Sequence, residues 1–223
     1  MKWNGLPTLI YGTSGISKEV KVLIDEINQG SYCNIFDVLG FVCEKNEDIG
    51  QEILNKKAVC SDNDFEMYIS TFPQLGVVIP IGTPALKKKI YQRISKYTNL
   101  VYPNLISPSA CIMDRDMIEL GIGNIICSGT RLTTEIRLGD FNLINLNTTI
   151  GHNTILGNFN VINPLASISG GVEMENEILV GTGSCIKQGK KVLSKSIIGM
   201  GAIITSDVSE EAIMICDKAH EME

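Results

Sequence analysis

The sequence predicts an α/β domain followed by a parallel β-solenoid, and three observations lead to this fold class. An aliphatic residue stands at every sixth position of a long carboxyl-terminal stretch, a period that belongs to neither helices nor amphipathic strands. Two apolar runs in the amino-terminal half each end at a glycine turn that precedes a helical pattern. X-Pro pairs near residues 102–108 separate the halves, so we expect domains at 1–105 and 106–223.

The first glycine turn follows the apolar run at residues 8–11. It consists of Gly12, Thr13, Ser14 and Gly15, and apolar residues at helical spacing follow it. Strand, glycine turn and helix open many α/β nucleotide-binding units, in which the turn amides hold a phosphate. Because the third glycine of GxGxxG is absent, a tight turn that binds nothing is the alternative.

A second junction of this kind joins an apolar run at 77–81 to a helical run at 85–96, and a further strand is expected at 38–43. Gly82 lies in this junction. Carboxyl ends of parallel strands meet at one edge of a sheet, so both turns are candidate ligand sites. Lys87, Lys88 and Lys89 could face an anion, although a solvated helix surface is the more usual place for adjacent lysines.

The six-residue repeat predicts about five solenoid turns of three short strands each, with the aliphatic side chains inside the tube. Glycine often follows the aliphatic residue, and a small or β-branched residue four positions after it is expected to turn each corner. Residues 114–117 interrupt the phase, and we expect a loop there. The aliphatic series is Leu120, Ile126, Leu132, Leu138, Ile144, Ile150, Leu156, Ile162, Ile168, Met174, Val180, Ile186, Val192, Ile198 and Ile204.

The two histidines of the chain differ in their setting. His152 stands two residues after the inward-facing Ile150, so its imidazole should point outward, where it can act as a general base near neutral pH. A surface histidine without a function is the alternative. His220 lies in a polar tail and should be exposed to solvent. The repeat contains no second histidine, so no metal site is expected.

Composition excludes several classes of protein. A net charge of −6 argues against nucleic acid or an anionic membrane as the partner. The amino terminus lacks the long apolar run of a signal peptide, and no run is long enough to span a bilayer. The seven cysteines are odd in number and never spaced as CxxC, which is typical of reduced thiols in the cytoplasm.

Several motifs together resemble those of a known family. They are LIYGTSG at 9–15, LGFV at 39–42, IPIG at 79–82, LISPSA at 105–110, the stretch from Asn145 to His152, and GGV at 170–172. The chain is similar to the sialic acid O-acetyltransferase-like sugar acyltransferases, a branch of the hexapeptide-repeat, left-handed β-helix acetyltransferases. Within that branch it looks like the enzymes that N-acetylate UDP- or GDP-linked amino sugars.

The resemblance implies a Rossmann-like amino-terminal domain that binds a sugar nucleotide around Gly12 to Gly15 and Gly82, and a left-handed β-helix. It also implies a homotrimer with active sites between neighbouring solenoids. His152 would be the general base in a central motif whose Asn145 would help to bind the substrate, and the Gly170 amide would bind the acetyl oxygen. Acetyl-CoA would lie along backbone near Gly181, Thr182, Gly199 and Met200.

Four motifs depart from the family pattern. The acidic residue that usually follows the catalytic histidine is Asn153, which can hold a tautomer but supplies no charge, so a weaker base is expected. The acidic pair after the LGFV strand is Cys43-Glu44, and a histidine in the LISPSA motif is Ser107. The closing Gly-x-Pro-Ala is CDKA at 216–219. Together these changes favour an altered acceptor or reduced activity.

Three hypotheses follow for the function. The first is acetyl-CoA-dependent N-acetylation of an amino sugar, nucleotide-linked, in the synthesis of a surface glycan, with His152 as the base. The second is O-acetylation of a sugar such as sialic acid, since the same base serves a hydroxyl. The third is a sugar-nucleotide-binding homologue with impaired catalysis.

Overall fold

The computed structural model describes residues 4–216. The amino-terminal half forms one six-stranded sheet with strand order β3-β4-β2-β1-β5-β6, in which only β3 is antiparallel to its neighbour. Its elements are β1 (Leu6–Tyr11), α1 (Gly15–Gln29), β2 (Phe36–Cys43), β3 (Glu52–Ile53), β4 (Lys56–Ser61), α2 (Phe65–Ile69), β5 (Leu75–Val78), α3 (Pro84–Ile94) and β6 (Leu100–Val101).

The two long helices follow their apolar spacing. Helix α1 buries Val20, Leu23 and Ile24, which lie three or four positions apart and therefore share one face. Helix α3 begins at Pro84, whose ring fixes a helical φ and whose missing N–H costs nothing in the first turn. Both helices pack on the solenoid as well as on the sheet. Apolar residues of α1 share a core with Leu105, and those of α3 share a core with Phe141.

The prediction of a Rossmann-like amino-terminal domain is wrong. A doubly wound fold needs a helix between successive parallel strands, and residues 4–216 contain three helices, one of them the five-residue α2. Between β2 and β4 the chain forms a 3-10 turn at Asn46–Asp48 and the short antiparallel β3 instead of a helix. Strands β3 and β4 were not predicted, because polar and charged residues interrupt their apolar pattern.

The carboxyl-terminal half is a parallel β-helix. Its three sheets contain β7, β10, β13, β16, β19, β22 and β24 in the first, β8, β11, β14, β17, β20 and β23 in the second, and β9, β12, β15, β18 and β21 in the third. The strands are β7 (Leu105–Ile106), β8 (Cys111–Ile112), β9 (Ile118–Leu120), β10 (Ile125–Ile126), β11 (Arg131–Leu132), β12 (Ile136–Leu138), β13 (Leu143–Ile144), β14 (Thr149–Ile150), β15 (Ile155–Leu156), β16 (Val161–Ile162), β17 (Ser167–Ile168), β18 (Glu173–Met174), β19 (Leu179–Val180), β20 (Cys185–Ile186), β21 (Lys191–Val192), β22 (Ile197–Ile198), β23 (Ile203–Ile204) and β24 (Ile213–Met214).

Each coil contains three hexads, so residues 18 positions apart pair directly, as Leu132 does with Ile150. The aliphatic residues of the hexads form one continuous buried core. This arrangement confirms the solenoid prediction and is consistent with a left-handed β-helix. The loop expected at 114–117 contains a 3-10 turn, Arg115–Met117, before β9 resumes the repeat.

The corners of the coil differ from the prediction. The small residues expected to turn them, such as Thr130 and Thr148, are fully buried inside the corner. The residue just before them adopts a left-handed backbone instead, even where it carries a side chain. These positions recur every six residues: Gly123, Gly129, Glu135, Phe141, Asn147, Asn153, Phe159, Leu165, Gly171, Glu177, Gly183, Gly189, Lys195 and Gly201.

A ladder of buried asparagines fills one corner, and the sequence analysis did not recognise it. Asn124, Asn142 and Asn160 stand 18 residues apart, and the Oδ1 of each accepts the backbone N–H of the equivalent residue in the next coil at 2.8–3.0 Å. Each Nδ2 donates to a backbone carbonyl at 2.9 Å. The buried amides are therefore satisfied, as a dry interior requires.

Candidate active site

His152 lies just beyond β14, at the corner that leads to the third sheet. Its side chain is exposed, in agreement with the outward orientation expected from Ile150. The imidazole Nδ1 lies 2.8 Å from the Oδ1 of Asn153. The backbone N–H of Gly171 donates to the carbonyl of His152 at 2.7 Å, which ties this corner to the next coil.

Gly170 provides the surface on which the imidazole lies. A Cβ added to Gly170 would be 2.5 Å from Nε2 of His152, so any side chain at this position would displace the ring. The backbone N–H of Gly170 donates to no acceptor within residues 4–216. An unpaired N–H beside the imidazole can bind a carbonyl oxygen on which negative charge develops.

Glu135 completes this cluster, and the sequence analysis missed it. Its Oε2 accepts a hydrogen bond from Nδ2 of Asn153 at 2.6 Å. Glu135 and Asn153 occupy the same left-handed corner position in successive coils, with φ of 52° and 57°. The signal that could have found Glu135 is its separation of 18 residues from Asn153, one full coil.

A second cluster lies at the carboxyl edge of the amino-terminal sheet. Gly12, Thr13 and Ser14 line a cavity of about 530 Å³, together with Lys89 of α3 and Glu44 after β2. No side chain caps the start of α1, so its first backbone N–H groups have no side-chain partner. Free amides at a helix start together with a nearby lysine favour an anionic ligand.

One wall of the cavity is a hydrogen-bonded network that the sequence analysis did not anticipate. Arg93 Nη2 lies 2.7 Å from Asp62 Oδ1 and 2.5 Å from the hydroxyl oxygen of Tyr11, which itself donates to Asp62. Burial, followed by the contact with Asp62, raises the pKa of Tyr11 above its ordinary value. The hydroxyl is therefore neutral at physiological pH and orients both charged groups at the cavity wall.

The other predicted substrate positions lie apart from these clusters. Gly15 is the first residue of α1, next to the cavity. Gly82 is exposed and does not line the cavity, although its neighbour Ile81 does. Asn145 is buried beside β13, and its Oδ1 accepts the N–H of Leu146 at 2.8 Å. Within the described chain no hydrogen bond joins Asn145 to His152.

The predicted cofactor glycines have a structural role. A Cβ on Gly181 would lie 2.4 Å from the amide nitrogen of Met200, and one on Gly199 would lie 2.8 Å from the Met214 carbonyl oxygen. Both glycines therefore allow successive coils to approach closely. Thr182 is partly exposed and Met200 is 73% exposed, so both remain accessible to a ligand along the coil.

The three lysines of α3 do not share a solvated surface. Lys87 is fully buried, and its Nζ donates to the carbonyl of Phe141 at 3.0 Å. Burial lowers the pKa of Lys87 to about 7. Lys88 Nζ lies 2.5 Å from Oε1 of Glu177, while Lys89 lines the cavity. The expectation of a solvated face is wrong for Lys87, whose tertiary partner lies 54 residues away.

Some earlier expectations concern features outside these clusters. Among residues 4–216, no group of three or more His, Cys, Asp or Glu side chains is placed to hold a metal ion. In the same range, no helix is long and apolar enough to cross a membrane. His220 and all but the first residue of the CDKA segment lie outside the described residues.

Comparison with solved structures finds proteins that match along nearly the whole chain. A mutant of perosamine N-acetyltransferase from Caulobacter crescentus, in complex with CoA and GDP-perosamine, is 20% identical with a TM-score of 0.81, covering 93% of this chain and 92% of that chain. The acetyltransferase domain of PglB from Neisseria gonorrhoeae, in complex with acetyl coenzyme A, is 21% identical with a TM-score of 0.77, covering 94% and 96%. WeeI from Acinetobacter baumannii is 25% identical with a TM-score of 0.79, covering 93% and 95%.

The chain shares its fold with sugar acetyltransferases. These neighbours confirm the resemblance stated from the sequence, and at this level of identity they establish the fold. No protein-family model matches the chain, and no curated protein matches it.

Proposed function

We propose that this chain is an acetyl-CoA-dependent acetyltransferase that acetylates the amino group of a nucleotide-linked amino sugar. The observation that carries the proposal is the His152 imidazole, held by Asn153 at Nδ1 and lying on Gly170 next to an unpaired backbone N–H. The solved neighbours that contain CoA with GDP-perosamine, or acetyl coenzyme A, support this reaction class.

The residues suit a direct transfer of the acetyl group. His152 Nε2 takes a proton from the amine while the nitrogen attacks the thioester carbonyl. The Gly170 N–H donates to the resulting oxyanion. Collapse of the tetrahedral intermediate forms the amide, breaks the carbon–sulfur bond and releases the CoA thiolate, which receives the proton from the imidazolium. No metal is needed in any step.

The acceptor would bind in the amino-terminal cavity. The free amides at the start of α1 and the side chain of Lys89 suit a diphosphate, and Glu44 can accept hydrogen bonds from a ribose or base. A volume of about 530 Å³ is in the range of small-molecule sites. Residues 1–105 would thus form the sugar-nucleotide domain, and residues 106–223 the acyltransferase domain.

Acetyl-CoA would extend from Gly170 along the coils that contain Gly181, Thr182, Gly199 and Met200. We also propose a homotrimer, with sites in clefts between solenoids. Large apolar side chains on the outer solenoid surface support self-association: Ile203 is 75% exposed and Ile213 is 66% exposed. Analytical ultracentrifugation should give a trimer of 24.4 kDa chains; a monomer at micromolar concentration would contradict this part of the proposal.

The test of the reaction is a panel of UDP-, GDP- and CMP-linked amino and hydroxy sugars, with CoA release as the readout. With the best acceptor, His152→Ala should lower kcat by roughly 10²–10⁴-fold, because a general base is lost. Unchanged turnover in His152→Ala would show that His152 is not the general base. Acetylation of hydroxy sugars alone would favour the O-acetyltransferase.

Asn153 favours a second candidate, a sugar-nucleotide-binding homologue with impaired catalysis, because it places no charge directly beside His152. Calorimetry distinguishes the two candidates. An acetyltransferase must bind both acetyl-CoA and the sugar nucleotide, whereas binding of the sugar nucleotide without acetyl-CoA would support the second candidate.

A further inference from the structure

We infer that Glu135 is a positioning residue for His152: through Asn153 it fixes which imidazole nitrogen carries the proton. The catalytic consequence of this inference rests on the proposed function, while the tautomer itself does not. The three side chains form a continuous relay, with 2.6 Å from Glu135 Oε2 to Asn153 Nδ2 and 2.8 Å from Asn153 Oδ1 to His152 Nδ1.

The relay has only one consistent assignment of donors and acceptors. An ionised carboxylate only accepts hydrogen bonds, so the Asn153 atom that faces Glu135 must be the NH₂ group. The amide oxygen therefore faces His152, and since that oxygen only accepts, Nδ1 must carry the proton. This leaves the lone pair on Nε2, the nitrogen that lies against Gly170.

Asparagine alone could not make this choice. Its amide presents an acceptor on one side and a donor on the other, and a flip exchanges the two. In a Ser-His-Asp triad, replacing the aspartate by asparagine selects the wrong histidine tautomer and greatly lowers turnover. Asn153 avoids this outcome because Glu135 holds its NH₂ group on the far side.

The fold places Glu135 for this contact. Glu135 and Asn153 are 18 residues apart at equivalent left-handed corners, so their side chains neighbour each other in successive coils. No lysine or arginine within the described residues forms an ion pair with Glu135. Arg137, two positions on, pairs with Glu119 at 3.3 Å. The Glu135 carboxylate is therefore available to Asn153.

The relay also supplies the charge that Asn153 lacks. As His152 becomes an imidazolium during proton transfer, the Glu135 carboxylate lies one amide away and polarises the hydrogen bonds between them. Glu135 thus takes over, from the preceding coil, the role of an acidic residue beside the histidine.

The first test reads the tautomer directly by ¹H–¹⁵N NMR of the imidazole, in a His220→Gln background that leaves a single histidine. At a pH high enough for the imidazole to be neutral, we expect the Nδ1–H form in the His220→Gln protein. Adding Glu135→Gln should give a mixture of the Nδ1–H and Nε2–H forms. Glu119→Gln is the matched control and should leave the tautomer unchanged. An unchanged Nδ1–H form in Glu135→Gln would overturn the inference, whether or not the chain transfers acetyl groups.

The second test is a double-mutant cycle on turnover. Glu135→Gln should lower kcat by about 10–10²-fold with little change in KM for acetyl-CoA, since the relay acts on the base and not on cofactor binding. In an Asn153→Asp background the same substitution should cost less than about twofold, because a carboxylate then orients the imidazole directly. An equal loss in both backgrounds would assign Glu135 a purely structural role.

Failure of this inference is distinguishable from failure of the proposed function. If no acceptor is acetylated, the proposed function fails, and the NMR result still decides the role of Glu135. If acetylation occurs and neither the tautomer nor the cycle depends on Glu135, the inference alone fails.

Discussion

Solenoid residues one coil apart meet similar surroundings, whereas three successive lysines of α3 meet three different ones. Glu135 and Asn153 share a corner position, and Asn124 and Asn142 share a hydrogen-bonding pattern. In α3, one lysine is buried against a backbone carbonyl, the next pairs with a glutamate, and the third lines a cavity.

The difference shows how each region determines the environment of a side chain. In the solenoid, every coil repeats the same backbone path, so position within the hexad determines whether a residue faces inward. In the amino-terminal half, the environment depends on which distant segment packs against each residue. The effect of a substitution can therefore be predicted from its position in the hexad in the solenoid, and only from tertiary contacts in the amino-terminal half.

The largest effect should come from a charge inside the solenoid. Ile150→Asp places a carboxylate at a fully buried position and should lower the free energy of unfolding by roughly 4 kcal/mol or more. Thr149→Asp changes the adjacent, exposed residue of the same strand and should cost about 1 kcal/mol or less. Urea unfolding followed by circular dichroism measures both. Similar losses in the two variants would show that phase does not determine burial here.

Two glycines of neighbouring coils, Gly151 and Gly170, should affect stability and activity to different extents. In Gly151→Ala the new Cβ would lie 2.5 Å from the backbone nitrogen of Gly170, so the coils must shift, at about 1–3 kcal/mol of stability. In Gly170→Ala the three atoms nearest the new Cβ all belong to the imidazole of His152, a side chain that can rotate away. We expect that variant to keep its thermal midpoint within a few degrees and to lose about 10²-fold in kcat. Full activity in Gly170→Ala would show that catalysis does not need the imidazole of His152 to lie against Gly170.

The smallest effect concerns Lys87, and it depends on pH. Its pKa is lowered from 10.5 to about 7 in the folded chain, so between these values the unfolded chain binds more protons. Stability should therefore rise with pH across this window, by about 1–2 kcal/mol from pH 7 to 8.5. Measurements should stop there, because burial raises the pKa of Cys60 and Cys127 to about 12, which makes stability fall above the ordinary thiol pKa of 9.

Variants at two neighbouring positions test the assignment to Lys87. Lys87→Met removes the titrating amine, so urea midpoints at pH 7 and 8.5 should no longer show this rise. Lys88→Met removes a partly exposed lysine and should retain it. A rise that persists in Lys87→Met would assign the pH dependence to another group.

The candidate site was partly predictable, because position within the hexad determines whether a side chain faces outward. His152 was found because the phase of the repeat places it outward, and Gly170 was found through the family resemblance, which implied that its amide binds the acetyl oxygen. Glu135 was missed, since its relation to Asn153 follows from the number of residues in a coil and not from adjacency in the chain. Asp62 and Arg93 were missed because Asp62 follows β4 and Arg93 belongs to α3, and these elements meet only in the folded domain.

The sequence by itself determined the solenoid, because a six-residue period leaves one way to bury fifteen aliphatic side chains in succession. It also determined that His152 faces outward. Only the tertiary structure decided that the amino-terminal sheet lacks a Rossmann-like arrangement, that Lys87 is buried, and that Glu135 orients Asn153. Periodicity reports which way a side chain points, whereas the partner it meets depends on how distant segments pack.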